Sequence, residues 1–190
     1  MGKFNFEKTP IEGLTLITPF IAPDDRGRFE KVFEAKEFSE HGIVFDIKEV
    51  TASVSKKGVI RGFHFQYRNA QAKLVHCTDG AIFDVAVDLR KGSPTFGKWA
   101  GYELSAENRH ALYIPRGFAH GIAALADNSR LEYCADNYFY PEYDGGIIWD
   151  DPEIGVKWPS EVLKSTVIVS AKDAALETFA EFKRTKGYVE

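Results

Sequence analysis

The chain has 190 residues, a hydrophobic content of 44%, a charged content of 27% and a formal net charge of −4. Length and composition favour one globular domain with a substantial core, and the net charge speaks against nucleic acid while leaving room for a local anion-binding pocket. No apolar run is long enough to cross a bilayer, and residues 1–7 lack the apolar stretch of a signal peptide. We therefore expect a cytoplasmic protein that contacts neither nucleic acid nor a membrane.

The first half of the chain predicts short strands separated by turn residues. In the segment 81–89, alternation places Phe83, Val85 and Val87 on one face and Asp84 and Asp88 on the other. The predicted elements are a strand over 15–21, a turn over 24–27, a helix over 34–41, and strands over 44–55, 59–66, 73–77 and 81–89.

The second half continues this pattern and then changes character. Further strands are predicted over 98–104, 111–114, 121–125 and 130–135. Residues 140–159 are rich in proline and glycine and predict a loop, after which a helix opens at Ser170, with Leu176, Phe179 and Phe182 facing inward. We predict a single, mainly β domain, with a barrel or sandwich core over about 15–140 and a loop and helix over 141–190 that cover part of it.

An arginine and a histidine interrupt an apolar strand in the sequence Arg61-Gly-Phe-His64-Phe-Gln. Buried polar groups are costly unless they are paired, so their presence in a strand suggests a chemical role. Residues three apart face opposite sides of an ideal strand. A β-bulge at Gly62 would turn Arg61 and His64 into one cavity.

Other candidates each have an ordinary structural explanation. Ser170 and Asp173 fit a capping box, which is the preferred interpretation of Asp173 from these residues alone. Tyr133 fits a half-buried core residue with a hydrated hydroxyl, and Lys73 fits a solvent-facing strand position. Together with Arg61 and His120, however, Lys73 would suit a diphosphate, because cations and an imidazole donor bind anions.

The sequence offers little for a bound metal or cofactor. No histidine pair at strand spacing accompanies His64, and there is no P-loop or dinucleotide-binding glycine motif. Cys77 and Cys134 lie in apolar strands without metal-ligand spacing, as expected of reduced buried thiols. We therefore expect neither metal nor cofactor.

Eight segments, in order along nearly the whole chain, carry a further signal. They are Asp25-Arg-Gly, Val59-Ile-Arg-Gly-Phe-His-Phe-Gln, Asn69-Ala-Gln-Ala-Lys-Leu-Val, Ile82-Phe-Asp-Val-Ala-Val-Asp-Leu-Arg-Lys-Gly-Ser-Pro-Thr-Phe-Gly, Leu104-Ser-Ala-Glu-Asn, Ile114-Pro-Arg-Gly-Phe-Ala-His-Gly, Ile154-Gly-Val-Lys-Trp-Pro and Ser170-Ala-Lys-Asp. Together these segments resemble the dTDP-4-dehydrorhamnose 3,5-epimerase family. This resemblance implies a cupin-type jelly-roll β-barrel and a metal-free homodimer in which segments are exchanged between subunits.

The resemblance also implies a role for individual residues. His64 matches the general base and Asp173 its partner, which replaces the interpretation of Asp173 as a cap. Tyr133 matches the general acid, Lys73 a cation near the reacting sugar, and Asp84 a carboxylate near the same centre. The matching substrate contacts are Arg26, Arg61, His120, Lys172 and Tyr138, the last stacking on the nucleotide base.

At four positions the chain departs from what is usual in the family. Lys31 and Asp144 each stand in place of a glutamate, and Glu49 and Thr51 stand in place of a Gln-x-Asn pair. The resemblance assigns these positions to the nucleotide and nearby polar groups. Because Glu49 could accept a hydrogen bond from an amino group, a CDP-linked or other nucleotide sugar is an alternative to a dTDP-linked one.

The resemblance thus implies a cofactor-independent epimerase that inverts C3, C5 or both in a nucleotide-linked 4-keto-6-deoxyhexose. Deprotonation next to the C4 ketone gives an enolate, and protonation of the same carbon on the opposite face of the ring inverts it. The alternatives are a 3,4-ketoisomerase acting on a similar sugar, a sugar-binding jelly roll without activity, and a metal-dependent cupin.

Overall fold

The computed structural model describes residues 3–164 and 166–189. Within these residues the chain is mainly β, with short helices near both ends. The strands are β1 (Asn5–Lys8), β2 (Thr15–Thr18), β3 (Phe20–Asp24), β4 (Gly27–Lys31), β5 (Glu49–Ser55), β6 (Ile60–Gln66), β7 (Lys73–Asp79), β8 (Ala81–Asp88), β9 (Trp99–Ser105), β10 (Ala111–Ile114), β11 (Phe118–Ala124), β12 (Ser129–Ala135) and β13 (Asp144–Gly146). The helices are α1 (Ala35–Glu40), α2 (Ser160–Leu163), α3 (Ala171–Ala174) and α4 (Phe179–Thr185).

Two antiparallel sheets form the body of the domain. One has six strands in the order β1-β2-β10-β7-β12-β5, and the other has five in the order β13-β6-β11-β8-β9. Apolar side chains from both sheets, such as Val75 and Leu112 from the first and Ile82 and Ile122 from the second, form one buried cluster between them. This is the jelly-roll arrangement expected from the sequence.

Part of the outer face of each sheet is also buried, because a terminal segment of the chain covers it. Phe63 and Val85 of the five-stranded sheet pack with Trp158, Phe179 and Phe182 of the C-terminal region. On the six-stranded sheet, α1 contributes Phe38 and the residue before β1 contributes Phe4 to a buried cluster on the outer face. Strand β8 is therefore buried on both faces, with its alternation as predicted, and Asp84 and Asp88 are fully buried on the inner side.

Several predicted elements differ from the structure. The strand predicted over 15–21 is divided between β2, in the six-stranded sheet, and β3, in a two-stranded sheet with β4. The turn over residues 24–27 is present, but it joins a separate hairpin of β3 and β4, whose second strand is too polar and exposed to show alternation. The strand predicted over 44–55 begins only at Glu49, because Ile43 and Phe45 pack against α1 instead.

The single helix predicted after Ser170 is two helices. Thr178 is the N-cap of α4 and forms a capping box with Glu181, so a new helix begins there and does not continue α3. Phe179 and Phe182 are buried as predicted, whereas Leu176 is half-buried. In the part of the chain that the structure describes, no helix combines the length and apolar character needed to cross a membrane.

Candidate active site

A cavity of about 860 Å³ opens between the two sheets and collects most of the predicted site residues. Its polar side chains come from both sheets and from α3, so the fold assembles them from distant parts of the sequence. The predicted residues that line it are Glu49, Thr51, Arg61, His64, Lys73, His120, Tyr133, Asp144, Lys172 and Asp173.

The bulge predicted at Gly62 is present. Arg61 lies opposite Ile122 and His64 opposite His120, so β6 has two residues where β11 has one. Both Arg61 and His64 consequently face the cavity. Gly62 has φ +103, and a Cβ atom there would lie 2.5 Å from the backbone oxygen of His120, so the position requires glycine.

The residue added by the bulge also binds a carboxylate. Because a bulged residue is unpaired in the ladder, the Gly62 N–H is free to donate to Asp173 Oδ2, at 3.2 Å. Asp173 Oδ1 lies 3.1 Å from His64 Nε2. The carboxylate is buried and faces the imidazole, while the Ser170 hydroxyl caps α3 by accepting from the Asp173 N–H. Ser170 is thus the cap, and the Asp173 side chain belongs to the cavity.

This environment keeps His64 neutral at physiological pH. Burial lowers the pKa of His64 below its ordinary value, and the charges of Lys73 and Lys172 act in the same direction, against the opposing effect of Asp173. Since Nε2 faces a carboxylate, the favoured tautomer carries its proton there and leaves the Nδ1 lone pair available. His64 therefore has the properties of a general base.

Tyr133 and Lys73 lie on neighbouring strands of the opposite sheet. Burial raises the pKa of the Tyr133 phenol, while the Thr51 side chain, by hydrogen bonding, and Arg61 act in the opposite direction. Burial lowers the pKa of Lys73, opposed by the charges of Asp84 and Asp144. The Lys73 ammonium is 5.7 Å from the centre of the Tyr133 ring. Across from the imidazole base, the cavity thus holds a phenol whose pKa is raised and a buried amine whose pKa is lowered.

Asp84 does not reach the cavity wall. It is fully buried behind His120 and accepts a hydrogen bond from Nε2 of that residue at 2.9 Å. Its second oxygen, Oδ1, has no hydrogen-bond partner within the described residues. The contact with His120 makes Asp84 the residue that orients this imidazole. Its charge also acts on Lys73, and its place near the reacting centre stays a prediction.

Comparison with known proteins identifies the family. The sequence pattern described as dTDP-4-dehydrorhamnose 3,5-epimerase matches residues 8–181. The chain belongs to the dTDP-4-dehydrorhamnose 3,5-epimerase family. A family member from Methanothermobacter thermautotrophicus is 46% identical over 173 residues, which cover 91% of this chain and 93% of the relative.

Solved structures agree with this assignment and with the jelly-roll fold. The epimerase from Legionella pneumophila, in complex with dTDP-4-keto-L-rhamnose, is 40% identical, with a TM-score of 0.92 and coverage of 97% of both chains. A 3'-monoepimerase from Streptomyces bikiniensis, in complex with dTDP-quinovose, is 32% identical, with a TM-score of 0.87 and coverage of 95% of this chain and 90% of the other. The resemblance stated from the sequence motifs is therefore confirmed.

Of the four residues at which this chain departs from what is usual in the epimerase family, three line the cavity and Lys31 does not. Glu49 and Thr51 line the cavity, but both Glu49 oxygens are engaged, Oε1 by the Phe139 N–H at 3.2 Å and Oε2 by the Gln71 amide at 3.4 Å. Asp144 also lines the cavity and accepts a hydrogen bond from Lys172 at 2.6 Å. Glu49 therefore supports the backbone near Phe139, a role that the sequence did not suggest.

Three residues predicted to bind substrate in this epimerase fold do not line the cavity of their own chain. Arg26 and Lys31 lie on the β3–β4 hairpin, where Arg26 pairs with Asp24 and Lys31 with Glu34. Tyr138 lies beside the cavity mouth with its side chain exposed. A role of these residues in binding substrate therefore stays a prediction.

Sequence reasoning missed the amides of Gln66 and Gln71 and the aromatic ring of Phe139, all of which line the cavity. A signal for Gln66 was available, because it lies two residues after His64 and so shares its face of β6. Within residues 3–164 and 166–189, no group of three His, Cys, Asp or Glu side chains is arranged to hold a metal ion. Cys77 and Cys134 are free thiols.

Proposed function

We propose that the protein is an epimerase that inverts C3 and C5 of dTDP-4-dehydro-6-deoxyglucose through an enolate. The observation that supports this most is the pairing of His64 with Asp173 on one wall of a cavity whose opposite sheet supplies Tyr133. A base and an acid facing the same space are what inversion of a carbon requires, whereas a binding protein needs neither.

The reaction uses the ketone that the substrate already carries. The hydrogens on C3 and C5 are acidic because they are α to the C4 carbonyl. Neutral His64 takes one of these protons, and the electron pair of the broken C–H bond moves onto the C4 oxygen. Lys73 donates a hydrogen bond to that oxygen and stabilises its negative charge in a cavity with little water.

Inversion is completed by protonation from the other side. Tyr133 delivers its proton to the face of the ring opposite His64, which restores the C4 ketone and inverts the carbon. His64 returns its proton to solvent and the phenolate is reprotonated, so the enzyme is unchanged. The same steps at the second carbon give the L-sugar, and the balance of atoms and electrons needs no redox cofactor.

The diphosphate end of the substrate fits the cationic part of the cavity. Arg61 and Lys172 line it, and His120, oriented by Asp84, adds an imidazole donor. Lys172 is held by Asp144 in the free protein, so a phosphate group would exchange one anionic partner of Lys172 for another. This arrangement supports a nucleoside diphosphate sugar as the substrate.

A homodimer that exchanges the β3–β4 hairpin forms part of this proposal. The hairpin forms a separate two-stranded sheet and exposes Phe29 (61% accessible), and the β5 strand exposes Val50 (67% accessible). Apolar surface of this kind is typical of an interface. In a dimer the hairpin would bring Arg26 and Lys31 to the cavity of the second subunit.

Inversion of a single carbon is the second candidate, because the Streptomyces bikiniensis 3'-monoepimerase has a similar structure. A CDP-linked substrate is less well supported, since Glu49 is already engaged by protein groups.

The experiment is turnover in deuterated water followed by NMR, with dTDP- and CDP-linked 4-keto-6-deoxyglucose as parallel substrates. We expect deuterium at both C3 and C5 of the dTDP-linked sugar and none with His64→Ala. Deuterium at one carbon would select the monoepimerase, and a carbonyl at C3 in the product would select the ketoisomerase. Retention of both hydrogens with every substrate would refute the proposal.

A further inference from the structure

Two aromatic side chains stand next to each other at the mouth of the cavity. Tyr138 and Phe139 are 53% and 51% exposed, and Phe139 lines the cavity. Exposed neighbouring rings beside a polar cavity form a platform on which a planar group can stack, and every nucleobase has a π-face suited to it. Where this platform stands relative to His64 would set how well a nucleotide sugar fits.

The segment 137–140 that carries the platform belongs to no helix or strand. Its backbone is held by side chains instead. Gln71 Nε2 donates to the Asn137 carbonyl at 2.9 Å, and the Phe139 N–H donates to Glu49 at 3.2 Å. The Tyr138 carbonyl and the Tyr140 N–H are both held by one further residue, Gln66.

Gln66 is the centre of this network. Its Nε2 donates to the carbonyls of Asn69 at 2.8 Å and Tyr138 at 3.2 Å, and its Oε1 accepts from the Tyr140 N–H at 2.5 Å. Two carbonyls and one N–H can be matched only by an amide, because a carboxylate cannot donate and an apolar side chain can do neither. Gln66 is 5% exposed, so each lost partner would leave a poorly solvated polar group.

The position of Gln66 links the platform to the base. Gln66 lies on β6, two residues after His64, and both side chains line the cavity. The backbone of β6 is itself fixed by pairing with β11 and β13, so His64 does not depend on the Gln66 amide for its place. The amide therefore connects a fixed catalytic strand to an irregular aromatic segment.

We propose that Gln66 is a positioning residue that sets the place of the Tyr138–Phe139 platform and thereby controls affinity for the nucleotide part of the substrate. This inference rests on the proposed function, because the platform needs a base to bind. The proposal predicts different effects on two parts of the ligand. Affinity for the nucleotide base depends on Gln66, whereas affinity for the diphosphate, which Arg61 and Lys172 bind, does not.

The test compares dTDP with inorganic pyrophosphate as ligands of the wild-type protein and of Gln66→Met, which keeps the volume but loses all three hydrogen bonds. We expect dTDP to bind about tenfold more weakly to the variant, as for a stacking platform that is no longer held in place. Pyrophosphate affinity should stay within twofold. In turnover, KM should rise by a similar factor as the dTDP dissociation constant, and kcat should stay within twofold.

Ser129→Ala is the matched control. Ser129 is equally buried and holds a backbone turn away from the cavity, with Oγ donating to the Ala81 carbonyl at 2.8 Å. This variant should lower the melting temperature while leaving the ratio of dTDP to pyrophosphate affinity unchanged. Gln66→Glu, which keeps the acceptor but cannot donate, should weaken dTDP binding in the same direction as Gln66→Met.

The outcomes separate the two proposals. Equal loss of dTDP and pyrophosphate affinity, a fall in kcat without a change in KM, or unchanged dTDP binding in both Gln66 variants would overturn the role of Gln66. If the wild-type protein binds pyrophosphate but not dTDP, the proposed function fails before any variant is considered, and the role of Gln66 fails with it.

Discussion

Replacing Asp173 by asparagine tests the electrostatic core of the proposed mechanism. The asparagine oxygen still accepts from the Gly62 N–H, so the fold of α3 is preserved. What is lost is the negative charge 3.1 Å from His64 Nε2, which stabilises the imidazolium formed when the base takes a proton. The side-chain amide would also donate to the imidazole and favour the wrong tautomer.

The size of the effect follows from this contact. A hydrogen bond to a charged group contributes about 1.5–3 kcal/mol, and each 1.36 kcal/mol changes a rate about tenfold. If the charge acts mainly on the imidazolium, kcat/KM should fall roughly 10- to 150-fold. The pH dependence should change too, because Asp173 raises the pKa of His64 against the larger lowering effect of burial. Without Asp173 the pKa falls further, so the acid limb of kcat/KM moves to lower pH.

The assay is the pH profile of kcat/KM between pH 4 and 9 together with the rate of deuterium incorporation. Thr178→Ala is the control, since it removes the cap of α4 and should cost about 1 kcal/mol of stability with the acid limb unmoved. An Asp173→Asn enzyme within threefold of wild-type kcat/KM, or an acid limb displaced to higher pH, would refute the assigned role of the carboxylate.

Three further predictions concern single side chains. Tyr133→Phe should lower kcat about 10²- to 10⁴-fold with dTDP affinity unchanged by calorimetry; weakened binding would contradict the role as proton donor. Lys73→Met should lower kcat about 10²-fold or more. The urea midpoint should not fall, because burial lowers the pKa of Lys73, which means that a charged ammonium at this position destabilises the fold. A large fall in the urea midpoint would contradict this. Asp88→Asn should lower the free energy of unfolding at pH 7 by about 2 kcal/mol in urea titrations. Burial raises the pKa of Asp88, but hydrogen bonds from Arg90, Ser93 and Thr95 outweigh it and bring the pKa to about 2. In the wild type this stabilisation is present above pH 4 and is lost as the pH falls through 2, so the difference between wild type and variant should shrink in acid; a constant difference would refute it.

The sequence predicted the strands whose apolar pattern is local. Alternation in the segment 81–89 identified both faces of β8 correctly, and the glycine between Arg61 and His64 identified the bulge. Both signals are carried by the residues of one strand, so no knowledge of distant contacts is required. The β3–β4 hairpin lacked such a signal because its outer strand is exposed and polar.

The contacts between distant segments could not be predicted from residue patterns. The capping signature at Ser170 is real, since its hydroxyl caps α3, but it says nothing about which way the Asp173 side chain turns. That direction is set by a backbone N–H 111 residues earlier in the chain. The family resemblance supplied the pairing of Asp173 with His64, but nothing in the sequence indicated that Asp84 lies behind His120 or that Glu49 holds the Phe139 backbone.

The attachment of Asp173 to the bulge at Gly62 has a consequence for how the site is assembled during folding. All barrel strands and the proton-accepting imidazole precede residue 150, yet the carboxylate that completes the pair comes from near the C-terminus. Docking of α3 against β6 is therefore the step that completes the pair, and a molecule whose sheets have formed without it holds an imidazole that lacks its carboxylate.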